Sequence, residues 1–287
     1  MQYRKTIYAM LLLLLIISLI LAGIIWYEKR QDLKVIFLDV GQGDAILIEQ
    51  GSKQILIDGG PSGQVLMEKL GRYVPFWDRE IETVIATHPD QDHIEGLLDV
   101  LKNYKVDSLI ETTAQSDSQL YKKYEDLLAQ KQIQKIAAVA GMKIKLDQAE
   151  MEILSPAGEV PTGIVKDTNM YSVVTKLVFG QNSFLFTGDL PDTEENKMVQ
   201  AGVDMSARIL KVGHHGSKYS SSNEFLEKVH PQDAIISVGK NNRFGHPAQE
   251  ALDRLLAHKI NIFRTDELGD IEYDCENIKL NCQMIAN

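Results

Sequence analysis

Hydrophobic positions fall along this chain in two regimes. From Ile7 to Tyr27 they form one stretch without a charge, dominated by Leu and Ile and closed by Trp26–Tyr27. That is long enough to cross the hydrocarbon of a bilayer as a helix, and the aromatic pair suits an interface. A cleaved signal peptide is the rival reading, but its small-residue cleavage site is poor, since Ala22 is preceded two positions earlier by Ile20. We therefore expect an uncleaved membrane anchor, or failing that a signal sequence, over residues 1–30, and one domain over residues 31–287.

In that domain the apolar runs are short and broken by Gly, Asp and Asn. Lys34 to Val40 and Ala45 to Glu49, separated by Gly41–Gln42–Gly43–Asp44, read as paired strands, with a further strand at Gln54 to Ile57. Gly63 to Arg72 sets Val65, Leu66 and Leu70 on one helical face. Strands and helices then alternate: strand Thr83 to Ala86, helix Gly96 to Lys102, strand Val106 to Ile110, helix Ser118 to Lys131. Strands follow at Lys143 to Leu146, Met151 to Leu154, Ser172 to Phe179 and Ser183 to Phe186. A helix around Thr193 to Ala201 leads to strands Ile209 to Val212 and Ala234 to Val238. Pro247 opens helix Ala248 to His258, before a strand at Asn261 to Arg264 and a hairpin over Ile271 to Gln283. This order predicts an α/β fold of sheets covered by helices.

Several of these strands run straight into chemically active residues. Thr87 to Gly96 packs His88, Asp90, Asp92 and His93 together just after the strand at Thr83. Imidazole and carboxylate are the nitrogen and oxygen ligands of divalent metals. Asp92 could instead cap the next helix with nothing bound, but two His and two Asp at this spacing argue for a metal site. Asp189, after Gly188 at a strand end, is presented as a bridging carboxylate would be; alone, the same residues would read as a turn. His214 and His215 stand between glycines at another strand end. Neighbouring side chains on extended backbone point to opposite sides, so one is expected to bind metal and the other to meet substrate. Asp44 and Asp58 are either turn residues or supports behind the ligands. His246 reads as a ligand, a proton donor or a helix-entry residue. His230 and His258 read as surface or packing residues.

Composition narrows the picture. With 287 residues and 44% hydrophobic content the chain can bury a large core. A net charge of −10 gives no overall attraction to a polyanion, although bound cations would supply positive charge locally. The two cysteines, Cys275 and Cys282, are set in poor register for a bridge if Glu276–Asn277 turns the hairpin, so buried or idle thiols are expected. Arg4 and Lys5 precede the anchor while Lys29, Arg30 and Lys34 follow it. The count leans toward a cytoplasmic domain, the signal-anchor character toward an extracellular one, and the outward placement is adopted.

The motif His88-x-Asp90-x-Asp92-His93 resembles the metal-binding stretch of the metallo-β-lactamase superfamily, with Asp90 where many members have His. Together with Phe37 to Glu49, Leu56 to Gly60, Thr187 to Leu190 and Leu210 to Ser217, it resembles the C-terminal domain of ComEC-type DNA-uptake proteins, over about residues 34–270. The resemblance implies a four-layer αββα sandwich with two divalent ions, zinc or manganese, at one edge. His88 and Asp90 would hold the first and Asp92 and His93 the second. Asp189 would bridge, and His215, or less readily His214, would complete the second. The family's third histidine on the first metal has no counterpart; Asn169 sits near its place. Carboxylate and carboxamide in place of imidazole move preference from zinc toward manganese or magnesium.

The implied reaction is hydrolysis by a metal-bound hydroxide that Asp92 orients, with His214 or His246 stabilising charge or protonating the leaving group. Asp58, Asn169, Ser217 and Lys211 would support the ligands or meet substrate, beside Lys218, Lys240, Asn242 and Arg243. The expected function is a membrane-anchored dinuclear hydrolase of phosphodiesters, single-stranded DNA or a smaller ester. A lactone or small-ester hydrolase and a non-catalytic, metal-stabilised binding module are the alternatives.

Overall fold

A computed structural model describes residues 2–29, 32–158 and 160–286. Helix α1 (Gln2–Lys29) carries the apolar stretch, and Tyr3–Gly23 is exposed along its length and is long and apolar enough to cross a membrane. The side chains of Trp26 and Tyr27 lie outside the described residues.

The domain begins with β1 (Leu33–Phe37), β2 (Ile46–Gln50), β3 (Lys53–Ile57), α2 (Gly63–Tyr73) and β4 (Glu80–Ala86). Then come α3 (Gln91–Ile94), α4 (Leu97–Asn103), β5 (Lys105–Glu111), β6 (Ala114–Gln115), α5 (Gln119–Lys131), β7 (Lys135–Ala137), β8 (Lys143–Lys145), β9 (Glu150–Ser155) and β10 (Gly163–Ile164). The second half holds β11 (Val174–Phe179), β12 (Asn182–Phe186), α6 (Asp192–Gln200), β13 (Ile209–Lys211), α7 (Asn223–Val229) and β14 (Asp233–Ile236). It closes with α8 (Gln249–Ala257), β15 (Asn261–Arg264), α9 (Thr265–Leu268), β16 (Ile271–Cys275) and β17 (Gln283–Ala286).

Strand runs that are apolar at every position, such as Phe184–Leu185–Phe186, need both sides covered. The fold supplies this with an eight-stranded sheet, β17-β16-β1-β2-β3-β4-β5-β7, and a seven-stranded sheet, β15-β14-β13-β12-β11-β9-β8. Alternate side chains part to opposite layers. Val35, Phe37, Ile46, Ile48, Phe184 and Phe186 meet between the sheets. Ile36, Leu47 and Leu56 face Leu66, Leu70, Val100 and Leu128 under α2, α4 and α5, and Leu185, Leu210 and Ile236 face Met198, Phe225 and Leu255 under α6, α7 and α8. The result is the expected αββα sandwich. β3 runs parallel to β4, and β12, β13 and β14 are mutually parallel, so their carboxyl ends lie along one edge.

Most predicted elements are present with ends displaced by a residue or two. The single turn α3 lies inside the His/Asp cluster, and Asp90, not Asp92, stands at its N-cap position. α7 was absent from the periodicity because it is short; Ser222 caps it by accepting the Phe225 amide.

The terminal hairpin corrects the expectation of idle thiols. Ile271 pairs with Ala286 and Asp274 with Gln283, which brings Cys275 beside Cys282, and a disulfide joins them. The expected two-residue turn does not form because the Asn277 carboxamide accepts the amides of Lys279 and Leu280, while Gln181 and Asn182 hold those residues' carbonyls. The loop is thereby tied to the second sheet, and the register shifts.

Phe184, fully buried, packs edge-on to Tyr273 at 5.6 Å between centroids, so it couples the two sheets. Phe184→Ala is expected to destabilise the fold by about 3–5 kcal/mol, read as a lowered denaturant midpoint for the chain in detergent; a loss under about 1 kcal/mol would contradict this packing.

Candidate metal centre

Five strand ends meet at that edge. β3 delivers Asp58, β4 delivers Thr87 and His88, and the turn α3 returns Asp92 and His93. From the facing sheet β12 delivers Asp189, β13 delivers His214 and His215, and β14 delivers Ser237. Carboxyl ends of parallel strands are where open α/β sheets place ligands, because the loops there are free of the ladder. Two glycines let the first sheet close. A Cβ on Gly59 would lie 2.6 Å from the Leu97 nitrogen, and one on Gly96 would collide with the Gly59 oxygen.

Asp189 is the centre of the arrangement. Gly188 before it has a φ of 52°, in the left-handed region that favours glycine, and a Cβ there would lie 3.0 Å from the Thr87 Cβ. The Asp189 carboxylate is nearly fully buried and faces four imidazoles. Its Oδ1 lies 3.4 Å from His93 Nε2, and its Oδ2 lies 3.5 Å from His215 Nε2, 3.6 Å from His214 Nε2 and 3.9 Å from His88 Nε2. Asp90 reaches within 4.0 Å of His88 Nε2, and Asp92 within 3.4 Å of His215 Nε2.

The outer nitrogens of three of these rings are held from behind. Asp58 accepts the Thr87 amide at 2.8 Å and hydroxyl at 2.7 Å, and its Oδ2 also lies 2.8 Å from His93 Nδ1. Because the Thr87 hydroxyl donates to Asp58, its free lone pair accepts from His88 Nδ1 at 3.0 Å. One carboxylate thus fixes the protons of two imidazoles on Nδ1 and turns both Nε2 lone pairs inward. His215 donates Nδ1–H to the Ser237 carbonyl at 2.9 Å, with Asp44 Oδ1 at 3.3 Å.

Inward-facing atoms are left without partners. His88 Nε2, His93 Nε2, His215 Nε2 and Asp189 Oδ1 are buried and make no hydrogen bond, an expensive arrangement unless a cation occupies the space between them. Four overlapping triads, His88 with His93 and Asp189, Asp92 with His93 and His215, Asp44 with Asp189 and His215, and Asp44 with Asp58 and His93, are each close enough to hold one. The donor set therefore fits divalent ions. Electrostatics agree: burial opposes a charged His93, yet Asp189 and Asp58 outweigh it and raise its pKa well above the ordinary value. In the same way Asp189 and Asp44 overcome burial to bring His215 to about 10. Burial and the neighbouring His93 lower His88. At His93 and His215 protons are thus drawn to the place where cations would sit.

The sequence-selected residues divide. His88, Asp90, Asp92, His93, Asp189, His214 and His215 come together. Both adjacent histidines have positive φ, 48° and 53°, so the backbone is not extended and both rings turn toward Asp189; this corrects the expectation of opposite sides. His215 is buried, whereas the His214 side chain is 33% exposed. His246 stands at the rim, its ring 5.7 Å from His214.

Two other expectations are corrected, for Ser217 and Asn169, whereas Lys211 takes the supporting role and does not meet substrate: it is fully buried, paired at 2.8 Å with Asp44 beside His215, and donates to the Val212 carbonyl. Ser217 is buried and its hydroxyl accepts the Tyr219 amide. Asn169 opens a single 3-10 turn, and the contact from this segment to the cluster is made by its neighbour Thr168, whose hydroxyl donates to Asp90. Thr87 and Ser237 were missed. Thr87 carries no signal beyond its place before His88, and Ser237 acts through its carbonyl. Beside Asp92 a cleft of about 380 Å³ opens, walled by Gln42, Pro61, Gln91, Asn242, Arg243 and Phe244.

Asp58→Asn leaves an amide where three donors converge. We expect metal affinity, measured by chelator competition, to fall about 10–100-fold; unchanged affinity would remove Asp58 from the orienting role.

The sequence pattern of the metallo-beta-lactamase superfamily matches residues 38–240. ComE operon protein 3 of Bacillus subtilis is 32% identical over 85% of this chain and 33% of its own length. Recombination protein 2 of Haemophilus influenzae is 31% identical over 86% of this chain and 29% of its own length. The chain thus spans about a third of the length of the curated relatives it matches. Among solved structures, the metallo-beta-lactamase fold protein YhfI from Bacillus subtilis aligns with a TM-score of 0.56 at 12% identity, covering 84% of this chain and 99% of that one. Tm1679, a metal-dependent hydrolase of the beta-lactamase superfamily, aligns with a TM-score of 0.51 at 14% identity, covering 89% of this chain and 100% of that one. The family pattern runs from the end of β1 to the loop after β14 and takes in every residue that faces Asp189, and the chain belongs to the metallo-β-lactamase superfamily.

Proposed function

We propose that this chain is a membrane-anchored hydrolase of phosphodiesters, single-stranded DNA among them, that works with two divalent cations. The observation that carries the reading is the buried Asp189 carboxylate, which has His88 Nε2 at 3.9 Å on one side and His93 Nε2 and His215 Nε2 at 3.4 and 3.5 Å on the other, three buried nitrogens that lack partners. A carboxylate within reach of both groups would suit a bridge. His88, Asp90 and Asp189 would hold one ion; Asp92, His93, His215 and Asp189 would hold the other. Oxygen donors on the first favour manganese, and zinc remains compatible with the imidazoles. When bound, such a pair supplies Lewis acidity and brings the pKa of a water toward neutrality.

The chain's own residues do the rest. Asp58 keeps the His88 and His93 rings oriented, and Asp44 with Ser237 does so for His215. Asp92, partly exposed at the cleft wall, is the carboxylate available to orient the attacking water. His214 faces both Asp189 and solvent, where it can donate to the developing charge. Burial and the nearby His214 hold His246 below its ordinary value, so it meets substrate at neutral pH as a neutral ring that hydrogen-bonds. Arg243 and Phe244 wall the same cleft, with the guanidinium 5.0 Å from the ring centroid. A cation and an exposed aromatic ring beside the centre suit a phosphate with an attached base.

One named relative supports a role in competence: Competence protein ComA of Neisseria gonorrhoeae, 28% identical over 89% of this chain and 35% of its own length. The Cys275–Cys282 disulfide supports an outward-facing domain, because such bonds persist in oxidising compartments.

The test is hydrolysis by the metal-loaded chain of bis-p-nitrophenyl phosphate and single-stranded DNA, side by side. Cutting of both, abolished by chelation, is expected. Cutting of the small ester alone would make it a small-molecule phosphodiesterase, and cutting of neither would favour a binding module. Asp189→Ala should abolish hydrolysis and bound metal with circular dichroism unchanged. His215→Ala should lose metal, whereas His214→Ala should keep it and lose about 10²–10⁴-fold in kcat. In intact cells Cys275 and Cys282 should resist thiol alkylation until reduced; immediate labelling by a permeant reagent would contradict the outward placement.

A further inference from the structure

We infer that the edge of the sandwich opposite the metal centre rests on the bilayer, through Phe76, Trp77, Ile278 and Leu280. The inference builds on the proposed membrane anchor and adds which face of the domain the membrane meets. Strand directions fix the geometry. β1 is antiparallel to β2, β2 to β3, and β3 is parallel to β4, so β1, β3 and β4 all start at one end and finish at the other. The metal centre lies where β3 and β4 finish. The anchor helix must join where β1 starts: Lys29 and Leu33 are four residues apart, a reach of at most about 14 Å. The end of the helix is therefore tethered to the edge away from the site.

That same edge carries unexplained apolar surface. Phe76 and Trp77, 79% and 74% exposed, are the most exposed large hydrophobic side chains outside α1 among the described residues. They pack edge to face, centroids 4.9 Å apart, in the loop leading into β4. Asp78 beside them accepts from the Gln54 amide at 3.1 Å, which pins the loop to the start of β3. From β1 to β4 is three strand spacings, about 14 Å. The disulfide loop lies at this edge as well, because Cys275 pairs with Leu33, and it exposes Ile278 and Leu280. Asn182, at the start of β12, holds it there through the Leu280 carbonyl and the Cys282 amide. Aromatic rings with a polar edge favour the headgroup region, and Arg79 and Lys279, both exposed, are placed to meet anionic lipid. With the membrane at this edge, β4, seven residues long, separates it from the centre by about 23 Å. Substrate then approaches from the aqueous side.

The chain has two tryptophans, so Trp26→Phe leaves Trp77 as the sole reporter. The full chain carrying that change is reconstituted in vesicles of phosphatidylcholine and phosphatidylglycerol, and its flotation is measured. Trp77 emission should be quenched by phosphatidylcholine brominated near the headgroup end of the acyl chain and shielded from aqueous iodide. Chain that floats with Trp77 quenched by iodide and untouched by brominated lipid overturns the inference while sparing the anchor. Chain that fails to float overturns the anchor and this inference with it.

Discussion

A single carboxylate set among imidazoles constrains the whole domain. Asp189 is buried with His88, His93, His214 and His215 around it, and no protein donor satisfies its Oδ1. Removing a charge from water costs several kcal/mol unless opposite charge replaces the solvent. The folded chain solves this with residues that all point one way. Asp58 and Ser237 accept from the far sides of the rings, and Lys211 balances Asp44 within the core. These groups are as much part of the site as the ligands, since they decide which nitrogen of each ring faces inward.

The sandwich exists to bring two sheets' strand ends to one edge. Asp58, His88 and His93 come from one sheet, and Asp189, His214 and His215 from the other, so the centre assembles only when the layer containing Phe37, Phe186 and Tyr273 is packed. Tight backbone approaches at Gly59 and Gly96 seat the cluster against β3, and Gly188 lets Asp189 pass Thr87. Fold stability and site geometry are therefore coupled, and core substitutions are expected to loosen metal binding before the chain unfolds.

Much of this was legible in the sequence because strand ends and ligands coincide there. The cluster His88 to His93, Gly188–Asp189 and His214–His215 each follow an apolar run, and local spacing alone marks them. What was not legible depends on contacts far apart in sequence. Lys211 reads equally as a support for the ligands or a contact to substrate until Asp44, distant in the chain, is seen against it. The pairing of Cys275 with Cys282 follows from Gln181 and Asn182 capturing the hairpin loop, which no local pattern encodes. His214 and His215 read as alternating because their positive φ values cannot be inferred from residue type. Thr168 rather than Asn169 touches Asp90 because a 3-10 turn begins between them.

In the proposed centre one carboxylate, that of Asp189, would be the shared ligand of two cations. The most direct measurement is the metal content and electron paramagnetic resonance spectrum of the full chain loaded with manganese. Two ions per chain, with the multiline spectrum of an exchange-coupled pair that Asp189→Asn abolishes, is the result predicted. A single ion per chain with an uncoupled spectrum, or a coupled pair that survives loss of the Asp189 carboxylate, would contradict it.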